Sequence, residues 1–264
     1  IENATCDKYV FYVINLLPGD YNATQNIEWN KSATRNITIN GNNNTLDGLK
    51  TYQFMKIAEN NTLTLTNITL TNYTSTEGAV IYNQNATITL INSTFNNNNA
   101  TRGGVIYNPD GNITVINSTI SDNRVSYAGA FYMDSGSLNV TNSTFTNNHA
   151  TSYGGVIYGK NATLTITDST FNNNYAVTHG GAILNYYANF TVSNSTFTNN
   201  NANQGGALFN GGTLTVTKST LTNNNAKERG GAIYNNAPDY SADIKDSNFT
   251  ANTAKYGAAI HSYG

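Results

Sequence analysis

The chain has 264 residues, of which only 11% are charged, with a formal net charge of −2 and a pI near 5.9. That balance offers no field to a polyanion and excludes nucleic acid and anionic membrane surfaces as expected partners. The one cysteine, Cys6, can close no intrachain disulfide and build no thiolate metal cluster, and no apolar run is long enough to cross a membrane as a helix.

Taken in chain order, the opening is irregular. Tyr9-Val10-Phe11-Tyr12-Val13 is apolar, and Ile14 to Tyr21 reads as a strand ended by the Pro18-Gly19 turn. Asn36-Ile37-Thr38-Ile39-Asn40-Gly41 and Thr45-Leu46-Asp47-Gly48 read as the opening strands of a larger array.

From residue 76 the chain repeats. Phe95, Ile120, Phe145, Phe171, Phe197, Leu221 and Phe249 each have an Asn three positions later: Asn98, Asn123, Asn148, Asn174, Asn200, Asn224 and Asn252. Ala or Val follows two residues after each of these, from Ala100 to Ala254. The steps of 25, 25, 26, 26, 24 and 28 residues lie in the range that marks a solenoid.

Within each period, apolar residues alternate at two, which identifies strands. Thr163-Leu164-Thr165-Ile166-Thr167 and Thr213-Leu214-Thr215-Val216-Thr217 bury Leu, Ile and Val on one face and wet their threonines on the other. A second strand follows the glycines, as in Gly103-Gly104-Val105-Ile106-Tyr107, with Ile106 inside and Tyr107 outside. A third carries the Phe.

Three strands per rung, about 25 residues per rung and roughly nine to ten rungs describe an all-β parallel β-helix on the order of 45 Å long. We expect one domain over 1–264: an N-terminal cap at 1–12, irregular opening rungs at 13–75, and regular repeats at 76–264. The last rung begins at Gly257-Ala258-Ala259-Ile260 and is not completed, so a larger parent chain is expected.

The repeated Asn suits a tight bend, where its amide can donate, accept and tolerate left-handed dihedrals. Stacked on its equivalents, it is expected to form a structural ladder. The Gly-Gly pair is expected at a corner with no room for a side chain, and no helix follows that would make it a phosphate loop.

Gly180 to Ile183 with Phe171 to Asn174, and Gly230 to Ile233 with Phe249 to Asn252, resemble the paired motifs of the chlamydial polymorphic outer-membrane protein repeats. The Asn- and Thr-rich setting, as in Leu164 to Phe171, is similar to the adhesin-like surface proteins of methanogenic archaea. The resemblance implies a right-handed β-helix, extracellular and attached to the cell surface, with an adhesive role and no catalytic residue. Departures are Ala128-Gly129 for Gly-Gly, Ile120 and Leu221 for Phe, and Tyr73 in the Asn position of its rung.

Parallel β-helices also carry polysaccharide lyases and glycosidases. A glycosidase needs two carboxylates facing each other at roughly 5–9.5 Å, whereas Glu77, Asp110, Asp122, Asp134 and Asp168 occupy different columns. Asp239, Asp243 and Asp246 cluster beside Lys245 in a stretch that reads as a solvated loop. A non-enzymatic chain without cofactor or metal is therefore expected.

Two outward columns are candidates for binding glycans or proteins of another cell. One is the ladder Tyr82, Tyr107, Tyr132, Tyr158 and Tyr234, with Leu184, Phe209 and His261 in the same column, whose rings could stack on sugars. The other precedes the glycines and varies from rung to rung: Glu77, Arg102, Tyr127, Tyr153, His179, Gln204, Arg229 and Tyr256. Outward Thr pairs such as Thr64/Thr66 and Thr87/Thr89 also resemble ice-binding β-helices, interrupted at Asn139, Asn189 and Asp243. Sequons recur, as at Asn92, Asn117, Asn142 and Asn194, and are acceptors for glycosylation if the chain is exported.

Overall fold

The computed structural model describes residues 11–29 and 34–263 and is a parallel β-solenoid throughout. Its strands stack into sheets of 16, 10 and 7 strands, every pairing parallel. The expected rung is present, but its division into strands differs. The post-glycine segment and the Thr-Leu-Thr-Ile-Thr segment belong to one sheet, and in several rungs they are one strand, as at Ile81–Ile91 and Ile106–Ile116. The Phe segment forms the second sheet, as at Thr170–Asn172. The third sheet is the stretch between the ladder Asn and the glycines, as at Asn99–Arg102, to which the sequence pattern assigns no strand.

Alternation decides what each sheet buries. The first contributes Leu164 and Ile166 and their equivalents, buried from Ile88 and Leu90 to Leu214 and Val216; the second contributes Phe95, Ile120, Phe145, Phe171, Phe197 and Leu221; the third contributes only small residues such as Ala100, Ala150 and Ala176. Phe145, Phe171 and Phe197 stack face to face at 4.6 and 4.7 Å, the separation that the strand spacing imposes.

Three side-chain ladders run through the stack. In the expected one, Asn148 Nδ2 donates to the Ile120 carbonyl at 3.0 Å and to Asn174 Oδ1 at 3.1 Å. The left-handed residue of this bend is the one before the ladder Asn: Asn97, Asp122, Asn147, Asn173, Asn199 and Asn223 have φ between 54° and 57°. The amide is thus chosen for its bonds, and the strained dihedral falls to its neighbour.

The sequence reading missed the other two. Ser93, Ser118, Ser143, Ser169, Ser195 and Ser219 each accept the backbone N–H of the preceding rung, as Ser118 N does to Ser143 Oγ at 3.1 Å. A second Asn ladder, buried at Asn83, Asn108, Asn185 and Asn210 and continued at Asn235, pins the kink inside the long strands. Asn83 Nδ2 donates to the Ala86 carbonyl at 3.0 Å and to Asn108 Oδ1 at 2.6 Å. Its signal was the Asn two residues after the buried Ile, broken where Met133 and Gly159 take the position.

The glycine pair divides two tasks. The first glycine is left-handed, with φ 59° at Gly154, and Ala128 holds φ 60° in its place one rung earlier. The second meets the next rung: a Cβ on Gly155 would lie 1.9 Å from the Gly181 carbonyl oxygen. Tyr73, in the Asn position of its rung, caps the first ladder by donating its N–H to Asn98 Oδ1 at 2.9 Å, and its ring lies where any side chain on Gly48 would be.

Of the expected cap, residues 1–10 lie outside the described residues. Phe11 and Tyr12 correct that boundary: Phe11–Asn15 is a rung strand paired in register with Asn36–Asn40. The opening rungs already stack with the later ones through Asn36, Thr62 and Thr87, whereas the described strands of the third sheet begin at Thr74–Glu77.

Candidate binding face

The two candidate columns turn out to be one structure. The Tyr ladder stands outside the main core, as expected, but the column before the glycines folds over it. Arg102 lies 4.8 Å from the Tyr107 ring and 5.8 Å from that of Tyr132, and is ion-paired with Glu77. His179 packs on Phe209 at 4.5 Å, and Arg229 Nη1 donates to Tyr234 Oη at 3.4 Å.

The expected exposure of this ladder is therefore corrected. Tyr107 is 7% exposed, Leu184 4%, Phe209 6% and Tyr234 3%, while Tyr82, Tyr132 and Tyr158 are half-buried. Alternation reported correctly that these side chains leave the core, but not that a neighbouring column would cover them. Tyr132 and Tyr158 stack on each other at 4.7 Å, Tyr153 and His179 stack at 5.2 Å, and Tyr127 leans on Tyr153 at 5.7 Å with a 36° tilt. The seam is a second, thin aromatic core on the outside of the solenoid, and the covering side chains Arg102, Tyr127, Tyr153, His179, Gln204 and Arg229 present its half-buried outer surface.

The electrostatics follow from that burial. Desolvation pushes the Tyr107 phenol up to about 12, against the opposing pull of Arg102. Tyr132 is raised by burial and by Asp134. His179 is lowered by burial, with the Gln204 hydrogen bond opposing.

The most exposed variable column is one that the sequence reading did not single out. In the third sheet Asn99, Arg124, His149, Tyr175, Asn201 and Asn225 are in register, one position before the buried Ala or Val, and point away from the core. Arg124 Nη1 is 3.4 Å from His149 Nδ1, and His149 meets the Tyr175 ring edge-on at 4.8 Å. Burial and then the Arg124 charge lower the His149 pKa. Simple alternation from the buried Ala would have found this column, had that segment been read as a strand.

The other two sheets are uniform by comparison. The second presents an unbroken row of Thr45, Thr69, Thr94, Thr119, Thr144, Thr170, Thr196 and Thr220. The sequon residues Asn92, Asn117, Asn142 and Asn194 stand exposed at left-handed corners beside it, with φ between 46° and 51°.

The acidic residues lie apart. Glu77 is taken by Arg102, Asp134 approaches Lys160 at 3.9 Å and Asp243 pairs with Lys245 at 2.6 Å. Among the described residues no three His, Cys, Asp or Glu side chains gather as a metal site, and no helix is long and apolar enough to cross a membrane.

A stack of parallel rungs locked by internal ladders, with its variation on one face, defines a parallel β-helix. The chain belongs to that family: the model of the right-handed β-helix region matches residues 25–184, more than half of the chain. Further along, residues 218–236 match the Chlamydia polymorphic membrane protein repeat. No curated protein and no solved structure matches the chain.

Proposed function

We propose that this chain is a non-enzymatic, extracellular part of a cell-surface adhesin or of its stalk, attaching the cell to glycans or proteins of another cell. The similarity of residues 218–236 to a membrane-protein repeat supports a surface setting. The archaeal adhesin-like character rests on the Asn- and Thr-rich resemblance alone.

The observation that carries the adhesive reading is the contrast between faces. The second sheet and the Thr-Leu-Thr-Ile-Thr part of the first present threonine, serine and asparagine almost uniformly, whereas the third sheet and the seam beside it collect Arg124, His149, Tyr175, Arg102, Tyr127 and His179. A solenoid can change an outward face without disturbing its core, so specificity belongs where the outward residues differ. Planar donors and aromatic rings on an otherwise weakly charged surface suit neutral polar partners.

Whole-cell and glycan-array binding of the chain tests this, beside Arg124→Ala/His149→Ala and a Thr119→Ala/Thr144→Ala control on the second sheet. Binding lost only in the first pair supports adhesion through the third sheet. No binding by the parent chain reduces the proposal to a spacer that holds another adhesive region away from the cell. The threonine row favours a second reading, ordering of water at an ice surface, which thermal hysteresis checks directly.

A further inference from the structure

Residues Asn60, Asn85, Asn161 and Tyr187 each stand two positions before the in-register segment of the first sheet that begins at Thr62, Thr87, Thr163 and Asn189, with φ of 61°, 59°, 50° and 60°. Three of the four are Asn, which visits the left-handed region at little cost; for Tyr the same backbone costs roughly 1–2 kcal/mol. A bulky residue held there is a strained choice that folding alone does not favour.

The surroundings explain what the strain maintains. The Tyr187 ring lies 4.2 Å from that of Tyr186 and 6.4 Å from that of Tyr240, tilted by 46° and 43°. All three are exposed, at 50%, 38% and 43% respectively. In the rung following Tyr186 and Tyr187 stand Gly211 and Gly212, with no side chains to fill the space beside the rings. One rung further, the longest repeat step in the ladder, 28 residues, accommodates a loop at 236–241 whose turn, closed by Tyr240 N to the Ala237 carbonyl at 3.1 Å, carries Tyr240. Two separate departures from the repeat, a Tyr at an Asn position and an inserted loop, thus meet over a glycine rung.

We propose that Tyr186, Tyr187 and Tyr240 form a platform for a neutral oligosaccharide, at the kink within the first sheet and distinct from the third-sheet face. Tyrosine rings offer flat faces to the C–H face of a pyranose ring, and phenol groups both donate to and accept from its hydroxyls. The cation beside Tyr186 in the register, Lys160, faces Asp134 at 3.9 Å, so the surface carries little net charge to select an ionic ligand. Three side chains are far too small an area for a stable protein interface, which buries about 1,200–2,000 Å². A sugar or two covers them.

The test is titration of the chain with maltohexaose, cellohexaose and chitohexaose by calorimetry and by NMR, beside Tyr187→Asn, Tyr187→Phe and Tyr240→Ala. Tyr187→Asn places in the left-handed position the residue the other rungs use, so its Tm is expected to equal or exceed that of the parent. Its affinity for the bound probe is expected to fall at least about tenfold, with a comparable loss in Tyr240→Ala and little loss in Tyr187→Phe. Thr119→Ala/Thr144→Ala on the second sheet is expected to leave this binding unchanged, whereas a loss confined to Arg124→Ala/His149→Ala would place the probe on the third sheet and overturn the platform. Absence of binding to all three probes, or undiminished affinity in Tyr187→Asn, overturns the platform.

Discussion

The side-chain oxygen of Asn174 accepts two hydrogen bonds from Asn148, one from its backbone N–H at 3.0 Å and one from its amide at 3.1 Å. Asn174 in turn donates to the Phe145 carbonyl at 3.0 Å and to Asn200 Oδ1 at 3.0 Å. The Asn174 side chain is fully buried with its oxygen and its amide both bonded, so its removal strands partners on both sides. Asn174→Ala should cost about 2–4 kcal/mol, since unpaired buried groups cost about 1–3 kcal/mol each. Asn252→Ala, nearer solvent at 8% exposure, should cost less. Urea unfolding ranks the two variants, and hydrogen exchange at the Asn148 amide should accelerate only in the first. Equal costs would show that the ladder does not depend on burial.

The two glycines of the pair should respond with different magnitudes. Ala128→Gly relieves a left-handed alanine and should raise stability by about 1 kcal/mol. Gly154→Ala meets both the left-handed dihedral and the Ile157 carbonyl oxygen, 2.3 Å from its Cβ, and should lose about 1–2 kcal/mol at a corner that Ala128 shows can adjust to a methyl group. Gly155→Ala drives a methyl group into the Gly181 carbonyl of the next rung and should cost about 3 kcal/mol or more, beyond ordinary overpacking because backbone must move. Thermal unfolding of the three variants gives the order.

Stability should depend on pH through two histidines. His149 and His179 both have their pKa lowered from 6.5 by burial, so the folded chain binds fewer protons than the unfolded one. The stability they confer is complete above pH 6.5 and is lost as the pH falls below it, levelling once the folded pKa is passed. His179→Gln should flatten part of that slope in a series of Tm measurements between pH 7.5 and 4.5. An unchanged slope in the variant would place the acid sensitivity elsewhere.

The seam makes the opposite prediction in alkali. Burial raises Tyr107 to about 12, above the ordinary value of 10.0, so its stabilisation is complete below pH 10 and is lost as the pH rises towards 12. Arg102→Ala uncovers Tyr107 and Tyr132 and should cost about 1–2 kcal/mol, from two cation–π contacts of about 0.5–1 kcal/mol each. The ion pair with Glu77 adds little because Arg102 is 37% exposed. Tyrosine absorbance titration should show Tyr107 ionising earlier in Arg102→Ala if lost burial outweighs the lost cation. Arg102→Lys, which keeps the charge without the planar group, should recover only part of the stability.

The period, the alternation and the Phe-to-Asn spacing were enough to predict a parallel β-helix, its buried columns and its first Asn ladder. Those features follow from local rules that every rung repeats: side chains alternate across a strand, and identical rungs stack identical residues. The packing outside the core was not legible in this way. Whether Tyr107 or Tyr234 faces water depends on Arg102 or Arg229 reaching across a corner from a strand that the glycine pair had disguised. The meeting of Tyr187 with Tyr240 depends on an inserted loop in a rung two turns away. Contacts between side chains of different columns are set by the fold of each corner and by the reach of long residues. Only the tertiary structure could therefore decide which outward residues are covered and which remain free to bind.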